Sequence, residues 1–191
     1  MKSISSLAAC VVLLTIVRAE SPAKLEGFAG IPFGSNAQQA KVAMDSRGAH
    51  FNPDKSTSAH MEFHGGTLGT EDVLFWHLYF FDGKSFRADV RMNSPFNRRF
   101  AKYDEVKKLI SDKYGPPSEA TPTEAAQVVT EEAELFDLVR NGKATVGAKW
   151  IVEGGSIKCE IAKKNNEVWI RLLYEDEALT KVYTSRRMKD Y

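Results

Sequence analysis

VLFWHLYFFDGKSFRADVRM, residues 73 to 92, is the stretch whose reading decides the fold. At its middle Asp82-Gly83 reaches positive φ cheaply, as a two-residue type I′ turn between Phe81 and Lys84 requires. After the turn Phe86, Ala88, Val90 and Met92 alternate with Arg87, Asp89 and Arg91. A period of two gives one apolar and one wet face, so Phe86, Val90 and Met92 should meet the core and Arg87 and Arg91 should not. Before the turn, Val73 to Phe81 is apolar almost throughout, apart from His77 and the Tyr79 hydroxyl. Such a strand belongs near the centre of a sheet. The stretch predicts a long antiparallel hairpin that other elements cover.

Gly48 can end a helix that Ser35 opens, with Ala37, Ala40, Ala43 and Met44 as its stripe. Residues 49 to 58 read as loop. Met61 and Phe63 mark a short strand that stops at Gly65-Gly66. Beyond the hairpin, Ser94-Pro95 is a helix start. Phe96, Phe100, Tyr103, Val106, Leu109 and Ile110 then recur at helical spacing up to Tyr114-Gly115-Pro116. Residues 116 to 122 resemble a linker. A helix over 124 to 139 follows, then strands over 144–152, 156–162 and 167–174 and a last helix from Glu175. The two halves match weakly. Each gives a helix, a strand ending in Gly-Gly, and two strands joined by a tight turn, at Asp82-Gly83 and at Asn165-Asn166. The expected fold is one α+β domain over residues 27–191. Its twisted antiparallel sheet carries helices mainly on one face and suggests a helix-plus-three-strands duplication.

The first nineteen residues read as a signal peptide. Lys2 precedes the apolar run Leu7 to Val17, which is too short to span a bilayer, and Val17-Arg18-Ala19 offers a cleavage site before Glu20. Residues 20–26 read as a flexible extension. The chain is then expected outside the cytoplasm, in the periplasm or beyond, with no transmembrane segment after leader removal. The rival is a lipoprotein anchored at Cys10, since Leu7-Ala8-Ala9-Cys10 resembles a lipobox. Most of the apolar run follows that cysteine instead of preceding it. Removing Lys2 and Arg18 leaves 24 basic and 25 acidic residues. That balance carries no footprint for nucleic acid or anionic membrane. Cys159 then stands alone, excludes an internal disulfide, and alternates with charged neighbours as a small core residue would.

The opening IPFG before a helix, the KYG-Pro helix end and the late Trp strand followed by LLYED carry a resemblance. They look like a loose group of small exported bacterial α+β proteins, most without an assigned activity. The duplicated layout is also similar to that of β-lactamase-inhibitor-like modules and of small outer-membrane assembly lipoproteins. The resemblance implies a fold and transfers no catalytic residue.

His60, Glu62 and His64 project to one side of a strand, about 7 Å apart. Two imidazoles and a carboxylate suit zinc, with His50 or His77 as a further donor. Yet Met61 and Phe63 need the core, which leaves the other face to polar residues in any case. A solvated strand face is expected, and no metal or cofactor is assigned. No Gly-x-Ser-x-Gly elbow, phosphate loop or dinucleotide fingerprint occurs. The carboxylate pairs Glu131-Glu132 and Glu175-Asp176 sit near expected helix ends, where solvation suffices. The basic runs at 97–102 and 186–189 read as solvated helix faces. Trp76, Trp150 and Trp169 should pack the sheet, and one on an uncovered face would be an interaction anchor. The expected function is a non-enzymatic binding or accessory module that meets an envelope or extracellular protein with its open sheet face. The alternative is a ligand-binding or hydrolytic pocket between sheet and helices. A polar cluster around His77 or Tyr79 would favour the pocket, and an exposed aromatic patch would favour the module.

Overall fold

A computed structural model of the chain describes residues 23–92, 94–95, 98–122, 132–164 and 167–189. The leader with Cys10, the Asn165-Asn166 turn and the first part of the expected 124–139 helix lie outside these residues. Ahead of the main sheet, β1 (Gly27–Phe28) and β2 (Ile31–Pro32) form a miniature hairpin, and α1 covers Ala37–Asp45. The main sheet begins with β3 (His50–Asn52), β4 (His60–His64), β5 (Thr67–Leu68), β6 (Glu71–Phe81) and β7 (Lys84–Met92). Helix α2 (Arg99–Tyr114) leads to β8 (Glu119–Pro122) and α3 (Glu132–Arg140). Strands β9 (Val146–Val152), β10 (Gly155–Lys164) and β11 (Glu167–Asp176) precede α4 (Glu177–Arg187).

The sheet is antiparallel, in the order β3-β4-β6-β7-β11-β10-β9-β8, with β5 added beside β6. That order is palindromic. Each half opens with a helix and has four strands that step from an edge to the centre, where β7 pairs with β11; in the second half α3 lies between β8 and β9. Gly65-Gly66 follows β4 and Gly154-Gly155 follows β9, the matching second strands, so the repeat visible in the sequence is the repeat of the fold. The first strand of each half, β3 or β8, is additional to the expected three and lies in a segment whose turn residues predict loop.

Phe81 pairs with Lys84, and Asp82 and Gly83 take φ of 47° and 72°, the two positive values of the expected turn. Two apolar rows cross six strands of the sheet. One runs Phe63, Trp76, Val90, Leu172, Cys159, Ala148; the other runs Met61, Leu78, Ala88, Tyr174, Ile157, Trp150. All twelve are buried in one cluster. Helix α1 closes it with Ala40 and Met44, α2 with Phe100, Tyr103, Val106 and Ile110, and α3 with Phe136 and Val139. Burial pushes the Cys159 thiol above its ordinary range, in keeping with an inert core residue. The last helix contributes no buried residue. Among the described residues no helix is long and apolar enough to cross a membrane.

Several local expectations change. Asn36, not Ser35, caps α1: its side chain accepts from the Gln39 N–H at 2.9 Å, and Gln39 accepts from the Asn36 N–H at 2.9 Å. Ser35 instead donates to the Pro32 carbonyl at 2.7 Å. Helix α2 starts at Arg99, later than Ser94-Pro95 suggests. The N-terminal extension is docked from residue 23 on, with Leu25 in the core and its N–H on the Glu153 carbonyl at 2.8 Å. Phe86 does not join the core row. The register shifts between Tyr79, opposite Arg87, and Phe80, opposite Ser85, which leaves Phe86 as the unpaired bulge residue. It packs on Tyr183 of α4, ring centroids 4.9 Å apart.

Candidate functional site

Helices α1, α2 and α3 bury their stripes against one face of the sheet. The other face carries rows of polar and aromatic side chains set by the same register. One row runs Glu62, His77, Asp89, Leu173, Lys158, Lys149; the next runs His64, Phe75, Arg91, Arg171, Glu160. Because β7 and β11 are neighbours, residues about eighty positions apart in the chain meet at the centre of this face. Arg171 Nη2 donates to Asp89 Oδ2 at 2.8 Å, and its Nη1 donates to Glu160 Oε1 at 3.1 Å. Asp89 is only 2% exposed, with Arg171 bonded to it and Arg91 beside it. Arg91 stacks on Trp169 at 5.0 Å and Arg87 on Tyr79 at 5.3 Å.

At the β3-β4 end, His64 Nε2 is 2.8 Å from Glu62 Oε1 and 2.9 Å from Asn52 Nδ2. Its tautomer decides between donating to the carboxylate and accepting from the amide. His60 does not join this pair. Its Nε2 lies 3.1 Å from His77 Nδ1, and the two rings stack. The three metal candidates of β4 therefore do not converge on one point: Glu62 and His64 bond each other, and His60 turns to His77, whose Nδ1 lies 3.6 Å from Glu62 Oε2. His50 pairs across the ladder with His64. Among the described residues no group of three or more His, Cys, Asp and Glu side chains is arranged to hold a metal ion. Burial alone would raise the Glu62 carboxyl, but hydrogen bonds from His64 and Asn52 bring it below its usual value. Burial lowers His77 to about 4, and the Arg91 charge adds to that against the opposing pull of Asp89 and Glu62. His77 is thus neutral at pH 7.

The polar cluster around His77 that a pocket enzyme would require does exist, but on the face opposite α1, α2 and α3 and away from the cleft that α2 borders. Among the described residues the exposed large apolar ones include no aromatic ring, and Tyr79 and Trp169 of this face are half-buried under arginines. The face has another property that the sequence could not display. Six buried polar atoms without a hydrogen-bond partner gather on it: His77 Nε2, Asp89 Oδ1, Trp169 Nε1 and the Nε atoms of Arg87, Arg91 and Arg171. Arg87 Nε is 3.5 Å from Glu175 Oε1 and Arg91 Nε is 3.9 Å from Asp89 Oδ1, ion-pair distances rather than good hydrogen bonds. Clustered unmet polar atoms of this kind mark a place where native packing serves something besides stability.

Comparison with family models, with curated proteins and with solved structures finds no match for this chain. The site is therefore argued from its geometry alone.

Proposed function

We propose that this chain is a non-enzymatic binding module that docks a protein partner flat against the sheet face opposite α1, α2 and α3. The observation that carries the proposal is Trp169. Of the three tryptophans, Trp76 and Trp150 are buried in the core with Nε1 on the carbonyls of Gly65 and Gly115. Trp169 lies on the other face, half-buried under Arg91, with its Nε1 unmet. Tryptophan, tyrosine and arginine are the residue types that dominate binding energy at protein interfaces. Here they occur together, as Trp169 with Arg91 and Tyr79 with Arg87.

Charge narrows the partner. Arg171 is matched by Asp89 and Glu160, and Arg87 lies beside Glu175. A face whose charges answer one another does not call for a polyanion. It suits a protein surface of mixed polarity, whose acceptors would meet the unmet arginine and tryptophan donors as these side chains rearrange. The leader-like run at residues 7–17 supports the reading that this encounter occurs in the bacterial envelope.

Photo-crosslinking tests this. A benzoylphenylalanine replaces Leu173, at the centre of the face, and in a control chain it replaces Val42, on the outer side of α1. In envelope extract the Leu173 probe should give one discrete adduct that the Val42 probe does not. Excess unlabelled wild type should compete it away, and a folded Trp169→Ala, Arg91→Ala chain should not. No adduct, the same adduct from both probes, or equal competition by the double variant would each overturn the proposal.

A further inference from the structure

The helix-covered side holds a cleft of about 710 Å³ between α2 and the β1-β2 hairpin. That is within the roughly 300–1,000 Å³ typical of small-molecule sites. Its lining divides into an apolar bottom and a charged mouth. Met92 and Leu172, from the two central strands, line it with Val106 and Ile110 of α2 and with Phe28 and Ile31 of the hairpin. Leu109 belongs to the apolar stripe of α2, yet it lines the cleft and is 56% exposed. Leu109 thereby adds exposed apolar surface to the apolar lining formed by Val106, Ile110, Met92 and Leu172.

The mouth is cationic once existing pairs are subtracted. Glu71 is taken by Lys102, and Lys24 has Glu153 at 3.8 Å. Arg47 donates from Nε to the Ala29 carbonyl at 2.7 Å and from Nη1 to the Thr67 carbonyl at 3.5 Å. It ties the hairpin turn to the β5 turn through neutral carbonyl oxygens, with no carboxylate at ion-pair distance among the described residues. Gly30, at φ +73°, leaves Arg47 its room, since a Cβ there would lie 3.3 Å from Nη2. Lys113 makes a ring contact with Tyr114 at 5.0 Å and, among the described residues, has no carboxylate within ion-pair distance. Against these two cations the lining leaves only Glu26.

We infer that this cleft binds an amphiphile with one anionic head and one aliphatic chain, of the fatty-acid class, its chain over Met92 and Leu172 and its head between Arg47 and Lys113. The inference is independent of the docking proposal, because the two sites lie on opposite faces of the sheet. A neutral apolar ligand would make no use of the cationic mouth. A cationic amphiphile would be repelled by it.

Calorimetry of the full chain with dodecanoate and with dodecyltrimethylammonium, each below its micelle concentration, tests the charge preference directly. Dodecanoate should bind one per chain, and more tightly than its cationic twin by about tenfold, the scale of one charge-assisted contact. Leu109→Asp, at an exposed position, should abolish that binding. Lys113→Gln should weaken dodecanoate several-fold and bring the two amphiphiles together. It reads the same effect as Arg47→Gln without disturbing the two turns that Arg47 ties. Trp169→Ala should leave the affinity unchanged. No binding of dodecanoate, equal affinity for the two amphiphiles, several bound per chain, or an unchanged Leu109→Asp titration would overturn the inference.

Discussion

Val90 and Arg91 are neighbours on β7 with opposite surroundings. Val90 is fully buried between Trp76 and Leu172, whereas Arg91 lies on the other face over Trp169. Val90→Ala leaves a cavity in a close-packed row and should cost about 1–3 kcal/mol. Sequence alone puts Arg91→Ala within about 0.5 kcal/mol, as for any solvated stub. The stack on Trp169 and the nearness of Asp89 raise this to about 1 kcal/mol, still the smaller loss. Urea melts of the two variants decide it, and a larger loss for Arg91→Ala would refute this account of the two faces. The alternation was legible in the sequence because period two needs only neighbours. The Arg91–Trp169 contact was not, because it depends on which strands lie side by side. His77 gives a second residue-scale prediction. The unfolded chain protonates this ring near its ordinary 6.5 and the folded chain only near 4. Between those values the unfolded state binds more protons, so stability is full above 6.5 and falls as pH drops towards 4. The loss from this group should reach about 3 kcal/mol. Chemical melts at pH 7, 5.5 and 4.5 should show His77→Gln less sensitive than wild type over that window. An unchanged pH profile would mean that His77 is solvated in the native protein.

At the scale of elements, the β6-β7 turn is the firmest point. A Cβ added to Gly83 would meet nothing within 4 Å, so a substitution there is opposed by backbone conformation alone. Gly83→Val should therefore lower stability by about 1–2 kcal/mol, measured by thermal or urea unfolding. A neutral result would argue against two positive φ angles in the turn. The long strands and α2 were legible because their periodicity runs over many residues. Strands β3 and β8 were not, since they hold three and four residues and lie next to Pro53 and Pro116-Pro117. Their pairing comes from the neighbouring strand and not from local preference. The bulge at Phe86 escaped for a related reason. A register shift of one residue leaves no mark in a pattern of alternating side chains, yet it moves that ring from the core to Tyr183.

At the scale of the whole molecule, the duplication was visible from repeated turn chemistry, and the structure gives it a meaning that turn chemistry could not. Each half adds strands from its edge inward and ends at the middle, so the two longest-range partners, β7 and β11, seal each other. Neither candidate site could be read before that seam was known. Arg91, Asp89 and Arg171 meet across it on one face, and Met92 and Leu172 line the cleft across it on the other. The same seam also governs association. A single half would end in an open ladder of nine or ten residues, long and unguarded, and edges of that kind recruit other chains. Joining the halves in one polypeptide supplies the complementary edge at an effective concentration on the order of millimolar, whatever the protein's abundance. What remains outward is β3 and β8, the two shortest strands of the path, one followed by a proline and the other ending in one. The palindrome thus turns a self-association hazard into an internal contact, and leaves at the rim only strands too short to template another chain.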